Sequence, residues 1–73
     1  MNQFVNVRTE AGEQRIAGIN ENGKWVSISA GIASLQGRER SADWTASQCS
    51  GEWLTGQTLT DEATGQVYPH QNS

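Results

Sequence analysis

Two short stretches in the first half of the chain are rich in apolar residues, and a turn signal lies between them. Residues 15–20 and 24–30 are rich in Ile, Val and Trp, which favour strands. Asn22-Gly23 separates the two stretches, and this dipeptide tolerates the positive φ angles of a two-residue hairpin turn. The pattern therefore predicts a β-hairpin centred on Asn22-Gly23.

The same turn predicts the pairing register of the hairpin. Folding about it produces one apolar face, and it places a pair of opposite charges next to the turn. The opposed residues in this register are Ile19 and Val26, Ala17 and Ile28, and Glu21 and Lys24. Trp25 then points to the other face, beside Ile16 and Gly18.

A third strand is predicted ahead of the hairpin. In Phe4–Arg8, Val5 and Val7 lie on one face, and Phe4, Asn6 and Arg8 lie on the other. A loop that contains Gly12 returns the chain to the hairpin. The resulting fold is mainly β, a three-stranded antiparallel sheet, which is about the minimum for independent stability.

The pattern is less regular after Ala30. Residues 31–35 are compatible with an extension of the strand, with Ile32 in phase with the apolar face. Ser41 is a suitable N-cap for one short helix that runs to about Gln48. Residues 52–55 are compatible with another short strand.

The two halves of the chain differ in composition. Residues 41–73 hold only three large aliphatic side chains, those of Leu54, Leu59 and Val67. Their final stretch is polar and terminal, which is typical of disorder. We therefore expect a single domain over residues 1–60 and a flexible C-terminal tail over residues 61–73.

Charge is also distributed unevenly. The net charge of the chain is −3. Residues 1–40 hold all five cations and four acids, a net charge of +1, whereas residues 41–73 hold four acids and no cation, a net charge of −4. An acidic protein lacks the electrostatic grip that nucleic-acid phosphates require, so direct nucleic-acid binding is not expected. Such polarity instead suits docking on a charged protein partner.

The counts of reactive residues argue against catalysis. The chain has one Cys and one His, so we expect no internal disulfide, no multi-His metal site and no cofactor. His70 lies in the polar tail, and Cys49 has no neighbouring cation in sequence to lower its pKa, so we expect Cys49 to be a small core residue. No secretory signal or membrane span is expected, and a lone Cys fits the reducing cytoplasm.

Aromatic and arginine side chains are the candidate contacts with a partner, since Trp and Arg are enriched in binding hot spots. Trp25 is the aromatic candidate because the hairpin register places it off the apolar face, whereas Trp44 and Trp53 are expected to pack on the core. Arg38 and Arg40 flank Glu39 in a predicted loop and suit a partner carboxylate. The predicted contact residues are Phe4, Arg8, Trp25, Arg38 and Arg40.

The chain resembles a class of small phage-encoded transcription regulators, of the type found in a lytic phage of Xanthomonas. The resemblance rests on the length of 73 residues and on the opening MNQFVNVRTEAGEQRIAGINENGKWVSI, which covers 28 residues. It implies a monomeric, non-enzymatic inhibitor in the host bacterial cytoplasm. The implied partner is bacterial RNA polymerase, near the amino-terminal region of its β′ subunit. Binding there would weaken σ-factor engagement, inhibit transcription initiation and favour antitermination.

Two other functions are compatible with the same residues. One is inhibition of a different host target, for example a nuclease defence complex. The other is a small β-barrel-like module that binds nucleic acid through its aromatic side chains, with an affinity that falls steeply with salt.

Overall fold

Among the described residues, one antiparallel sheet of five strands and one short helix make up the fold. The computed structural model describes residues 3–36 and 40–72. The elements are β1 (Gln3–Arg8), β2 (Gln14–Ile19), β3 (Trp25–Ile28), α1 (Ala42–Gln48), β4 (Leu59–Asp61) and β5 (Val67–Tyr68). The strand order is β3-β2-β1-β4-β5. The predicted mainly β fold, its three-stranded sheet and its short helix are confirmed, and two further strands extend the sheet.

The sheet curls into a half-barrel whose two ends meet at Trp25. The Trp25 N–H donates to the Pro69 carbonyl at 2.9 Å, and the Gln71 N–H donates to the Trp25 carbonyl at 3.1 Å. These bonds form a parallel bridge between Trp25 and His70. The segment after β5 therefore covers the outer edge of β3, which would otherwise expose unpaired main-chain groups.

The core lies inside the curl and draws on both halves of the chain. Its side chains are nearly all removed from water, and burial of this apolar area stabilises the fold. Val5 and Leu54 pack against it from the side. The buried cluster consists of Val7, Ala17, Ile19, Trp25, Ile28, Leu59 and Tyr68.

The predicted hairpin register is right at one end and wrong at the other. Ala17 lies opposite Ile28, as expected, but Ile19 lies opposite Trp25 rather than Val26. The register shifts between Gly18 and Ile19 because β3 carries one extra residue there. A bulge of one residue reverses the faces beyond it. Trp25 therefore points into the core and is completely buried.

The Asn20 N–H donates to the Lys24 carbonyl at 2.8 Å, so Lys24 lies opposite Asn20 rather than Glu21, and the predicted two-residue turn is a three-residue turn over residues 21–23. In this turn Gly23 has a positive φ of 75°, whereas Asn22 does not have the positive φ that was predicted for it.

The prediction of a flexible tail is wrong for the described residues 61–72. Asp61 ends β4, a turn follows, and residues 67–68 return as β5. Tyr68 and His70 are buried, with 7% and 1% of their surface exposed. The domain therefore continues past residue 60. The polar composition of this stretch predicted disorder, but part of its main chain is paired in the sheet and its Tyr68 and His70 side chains reach the interior.

The segment after β3 crosses the outer face of the sheet and does not extend the strand. Ala33 N–H donates to the Gln14 carbonyl at 3.1 Å, and Leu35 N–H donates to Asn6 Oδ1 at 2.8 Å. Ile16 is fully buried on this face, whereas Ile32 is 75% exposed and not in phase with the core. The predicted strand at residues 52–55 is also wrong, because residues 53–56 form a turn.

The helix begins where the sequence predicts. Ser41 is the N-cap, and its hydroxyl accepts a hydrogen bond from Trp44 N–H at 3.0 Å. Thr45 is the buried residue of the helix, and Cys49, the C-cap, is also buried. The Cys49 thiol donates to the Ile16 carbonyl at 3.3 Å, and burial raises the pKa of Cys49 to about 11. A thiol with this pKa is an inert core group, as expected.

Candidate partner-binding surface

The outer face of β1 carries two of the predicted contact residues. Phe4 and Arg8 lie on this face, on either side of Asn6, while Val5 and Val7 face the core as predicted. The Phe4 ring covers the main chain of Gly18, since a Cβ built there would lie 3.4 Å from the ring. Phe4 is therefore partly buried and fixed in position at the surface.

Arg8 is an exposed cation that is held by two contacts. Its side chain is 56% exposed, and Nη2 lies 3.2 Å from a Glu62 oxygen. Nη1 donates to the Gly12 carbonyl at 3.1 Å. The other Glu62 oxygen accepts from Gln14 Nε2 at 2.9 Å. The guanidinium is thus oriented rather than free, which reduces the entropy cost of a contact.

An open cavity of about 260 Å³ lies beside Phe4 at the edge of β1. One wall is the segment at Leu35, held by its bond to Asn6 Oδ1. The other wall is the turn after β4, held by the bond from Glu62 N–H to the Asn6 carbonyl at 3.1 Å. We call this cavity the β1-edge pocket; its lining residues are Phe4, Val5, Asn6, Leu35, Gln36, Asp61, Glu62 and Ala63.

Hydrogen bonds keep the Asp61 carboxylate charged in the wall of this pocket. Partial burial raises its pKa, but bonds from the N–H groups of Ala63 and Thr64 and from the Tyr68 hydroxyl outweigh this, so the pKa of Asp61 is lowered. Burial and the adjacent carboxylate raise the pKa of Tyr68. Tyr68 therefore stays neutral and donates to Asp61 Oδ2 at 3.0 Å.

A second aromatic and basic surface lies at the start of α1. The Arg40 guanidinium lies 4.2 Å from the centroid of the Trp44 ring, within cation–π distance. Arg40 is exposed and Trp44 is half-buried. Trp53, which was expected to pack, is 52% exposed and rests its ring against Gly51.

Trp25 is not part of either surface. Its side chain is completely buried, its indole N–H donates to the Gln57 carbonyl at 2.9 Å, and its ring meets His70 edge-on with centroids 4.5 Å apart. The prediction of Trp25 as a contact therefore does not fit this fold. Arg38 lies outside the described residues.

The sequence predicts that His70 lies in a flexible tail. In the structure His70 is buried where the segment after β5 meets β3. Its Nδ1 accepts from Asn72 N–H at 3.2 Å, so the ring proton is on Nε2. Nε2 lies 2.9 Å from Glu52 Oε2 and donates to it. With partners on both nitrogens and 1% exposure, this imidazole is structural. No local sequence pattern indicates this role.

The sequence analysis also did not predict the acidic residues that line the β1-edge pocket, although the sequence contains a signal for the hairpin that carries them. Leu59–Asp61 and Val67-Tyr68 flank Thr64-Gly65, which is the arrangement of a hairpin. Gly65 has a φ of 78°, as such a turn requires. The low apolar content of the surrounding stretch masked this signal.

No family model, no curated protein and no solved structure matches the chain. Across residues 3–36 and 40–72, no group of three or more His, Cys, Asp or Glu is placed to hold a metal ion. Within the same ranges, no helix has the length and apolar character needed to cross a membrane.

Proposed function

We propose that this protein is a non-enzymatic inhibitor that binds bacterial RNA polymerase in the host cytoplasm. The observation that supports a binding role is the outer face of β1, where the oriented Arg8, the fixed ring of Phe4 and the β1-edge pocket lie together. A held arginine and an aromatic ring beside a pocket are typical of protein interfaces. The polymerase as partner rests on the resemblance of the opening residues.

Inhibition on this proposal is a matter of differential affinity. A protein that binds the σ-free arrangement of the polymerase more tightly than the holoenzyme shifts the equilibrium away from initiation. The ratio of the two affinities sets the size of the shift, and no catalytic step or cofactor is needed. The amino-terminal region of β′ is the proposed target, and antitermination follows from continued occupancy during elongation.

Binding to purified polymerase tests the proposal. The protein is titrated into bacterial core enzyme and into holoenzyme, and run-off transcription is measured on a σ-dependent promoter. We expect tighter binding to the core enzyme and loss of promoter transcripts. Failure of the wild-type protein to bind either form would exclude the polymerase as partner.

Charge reversal tests the surface. We expect Arg8→Glu to weaken polymerase binding by about tenfold or more, because it removes an oriented cation and leaves a repulsive carboxylate beside Glu62. Lys24→Glu, which makes the same charge change at the far end of the hairpin, is the matched control and should bind within about twofold of wild type. Arg40→Glu tests the surface at the start of α1. Equal binding by all three variants would show that neither surface contacts the polymerase.

The two alternative functions give different results in the same assays. An inhibitor of another host target leaves polymerase binding and promoter output unchanged. A nucleic-acid module binds DNA or RNA alone, with an affinity that falls by orders of magnitude between about 50 and 200 mM salt. The net charge of −3 and the two carboxylates beside the pocket favour the protein partner over the nucleic acid.

A further inference from the structure

Among the described residues, none pairs with β1 at Phe4 on the side of β4, and we call this part of the strand its open edge. In antiparallel sheets the main-chain groups of successive residues point to alternate sides of the strand. The bond from Glu62 N–H to the Asn6 carbonyl shows that the even-numbered residues of β1 point toward β4. β4 pairs with Val7 and Arg8, the bond from Glu62 reaches Asn6, and the chain then turns away from β1.

The N–H and C=O of Phe4 therefore point past the end of β4. Among the described residues none forms a hydrogen bond with them on this side. The outer edge of β3, in contrast, is covered by Gly51 and by the segment after β5. The open part of β1 thus presents one donor and one acceptor in strand geometry, which an added extended strand satisfies.

The β1-edge pocket lies directly beside this open edge. Its volume of about 260 Å³ is enough for a single large side chain, and Leu35 and Phe4 supply apolar lining. A strand that pairs with Phe4 points its side chains alternately to the two faces of the sheet. One of them would enter the pocket between the Leu35 segment and the turn after β4.

The charge around the pocket favours a basic occupant. Asp61 and Glu62 line it, and Arg8 compensates only one of these carboxylates. Residues 41–73 as a whole carry a net charge of −4. A Lys or Arg side chain combines an apolar stem, which suits Leu35 and Phe4, with a cationic head that reaches the carboxylates.

We propose that the open edge of β1 at Phe4 and the β1-edge pocket form a docking site for one extended, basic segment of a partner protein, which pairs with Phe4 as an added strand. This inference rests on the proposed function only in so far as the protein is a binder of proteins. It holds for any partner that offers such a segment.

A synthetic peptide tests the docking site directly. The probe is an end-blocked nonapeptide of alternating Lys and Val, added to the full-length protein while amide exchange and chemical shifts are followed by NMR. We expect saturable shifts at Phe4, Leu35 and Glu62, with exchange of the Phe4 amide slowed at least about fivefold. The same peptide with alternate backbone nitrogens methylated keeps its charge but loses strand pairing, and it should not slow this exchange.

Two substitutions at one position separate the main chain from the side chain. Phe4→Ala and Phe4→Pro both remove the ring, but only Pro removes the N–H at the open edge. We expect Phe4→Pro to bind the Lys-Val peptide at least about fivefold more weakly than Phe4→Ala, because one hydrogen bond is lost. A Glu-Val peptide of the same length should bind at least about tenfold more weakly than the Lys-Val peptide.

Equal affinities of the two Phe4 variants, or equal slowing by the methylated peptide, would overturn the proposal. If Phe4→Pro does not fold, as judged by its thermal unfolding, the exchange of Phe4 in the wild-type protein decides alone. Polymerase binding separates the two proposals. Polymerase binding without any docking of the Lys-Val peptide refutes the strand addition only, whereas docking of the peptide without polymerase binding refutes the polymerase only.

Discussion

Each buried polar side chain among the described residues has a hydrogen-bond partner, and this is how a chain with 34% hydrophobic residues fills its interior. Arg15 shows the principle: Nη1 donates to the Ser29 carbonyl at 2.9 Å, and Nη2 lies 2.7 Å from Glu13 Oε1. A satisfied polar group costs little to bury, whereas an unsatisfied one costs about 1–3 kcal/mol. Single polar residues therefore matter as much here as apolar ones.

His70 is the residue at which this effect should be largest. His70→Ala removes a fully buried ring beside Trp25 and the donor to Glu52 Oε2, although Glu52 Oε1 keeps its bond from Gln71 Nε2. We expect the free energy of unfolding, measured by urea denaturation, to fall by about 2 kcal/mol or more. Glu52→Gln keeps an acceptor for Nε2 and should cost less than about 1 kcal/mol. A loss no greater for His70→Ala than for Glu52→Gln would contradict the structural role of the imidazole.

Asp61 should make the free energy of unfolding depend on pH in the acidic range. Its pKa is lowered in the folded protein, so its contribution is fully present above the unfolded value, about 3.9, and is lost as the pH falls through the folded pKa. We expect Asp61→Asn to be less stable than wild type at pH 7, by at most about 1 kcal/mol, with this difference shrinking toward pH 3. Tyr68→Phe, which removes one donor to the carboxylate, should show part of the same change. Unfolding curves of wild type and Asp61→Asn that stay parallel from pH 7 to pH 3 would exclude this role.

At the scale of elements, local signals set where each element begins, and contacts with the rest of the chain set where it ends. The helix starts at the Ser41 cap, which needs only the next three residues. β3, in contrast, is only four residues long. Ser29 N–H still donates to the Ile16 carbonyl of β2, and the chain then leaves the strand and crosses the outer face to Asn6. The outer face of β1 and the β1-edge pocket exist because of that crossing.

The cap is a test of the local contribution. Ser41→Ala removes the acceptor for Trp44 N–H and should lower the free energy of unfolding by about 1 kcal/mol. Ser47→Ala is the matched control, because its exposed hydroxyl donates only to the Trp44 carbonyl within the helix. We expect a change of less than about 0.5 kcal/mol there, measured by urea denaturation. Equal losses for the two variants would show that the cap does not hold the helix.

At the scale of the whole molecule, the fold depends on its last dozen residues. A core in a domain of this size supplies only about 3–5 kcal/mol. Residues 61–72 contribute the buried Tyr68 and His70 and the bridge that closes the sheet on Trp25. The interior is therefore incomplete without them.

Truncation after residue 60 tests this dependence. We expect the shortened chain to show no cooperative unfolding transition by circular dichroism at 25 °C, because it loses more than the net stability of the domain. The full chain should unfold in a single transition. A cooperative transition of the shortened chain close to that of the full protein would restore the view that residues 61–73 are a dispensable tail.

The features that depend on near neighbours follow from the amino-acid sequence alone. The alternation in β1, the Ser41 cap and the positive φ of 75° at Gly23 each involve residues a few positions apart, so the pattern along the chain contains the information for them. The exact length of the hairpin turn was not among these features, since Asn20 rather than Glu21 lies opposite Lys24. The mainly β class followed from these. The alternation in β1 also predicted that Phe4 and Arg8 lie on the face opposite Val5 and Val7, and the structure places them there.

The other features depend on contacts between residues that are distant in sequence, and they form only when the chain folds. The extra residue in β3 turned Trp25 from a predicted surface contact into the centre of the core, a change that one position of register produces. Glu62 accepts a hydrogen bond from Gln14, which is 48 positions away in sequence, and this bond holds one of the residues that line the β1-edge pocket. Such contacts depend on which surfaces the folded sheet brings together. The local pattern of residues along the chain does not indicate which distant residues will meet.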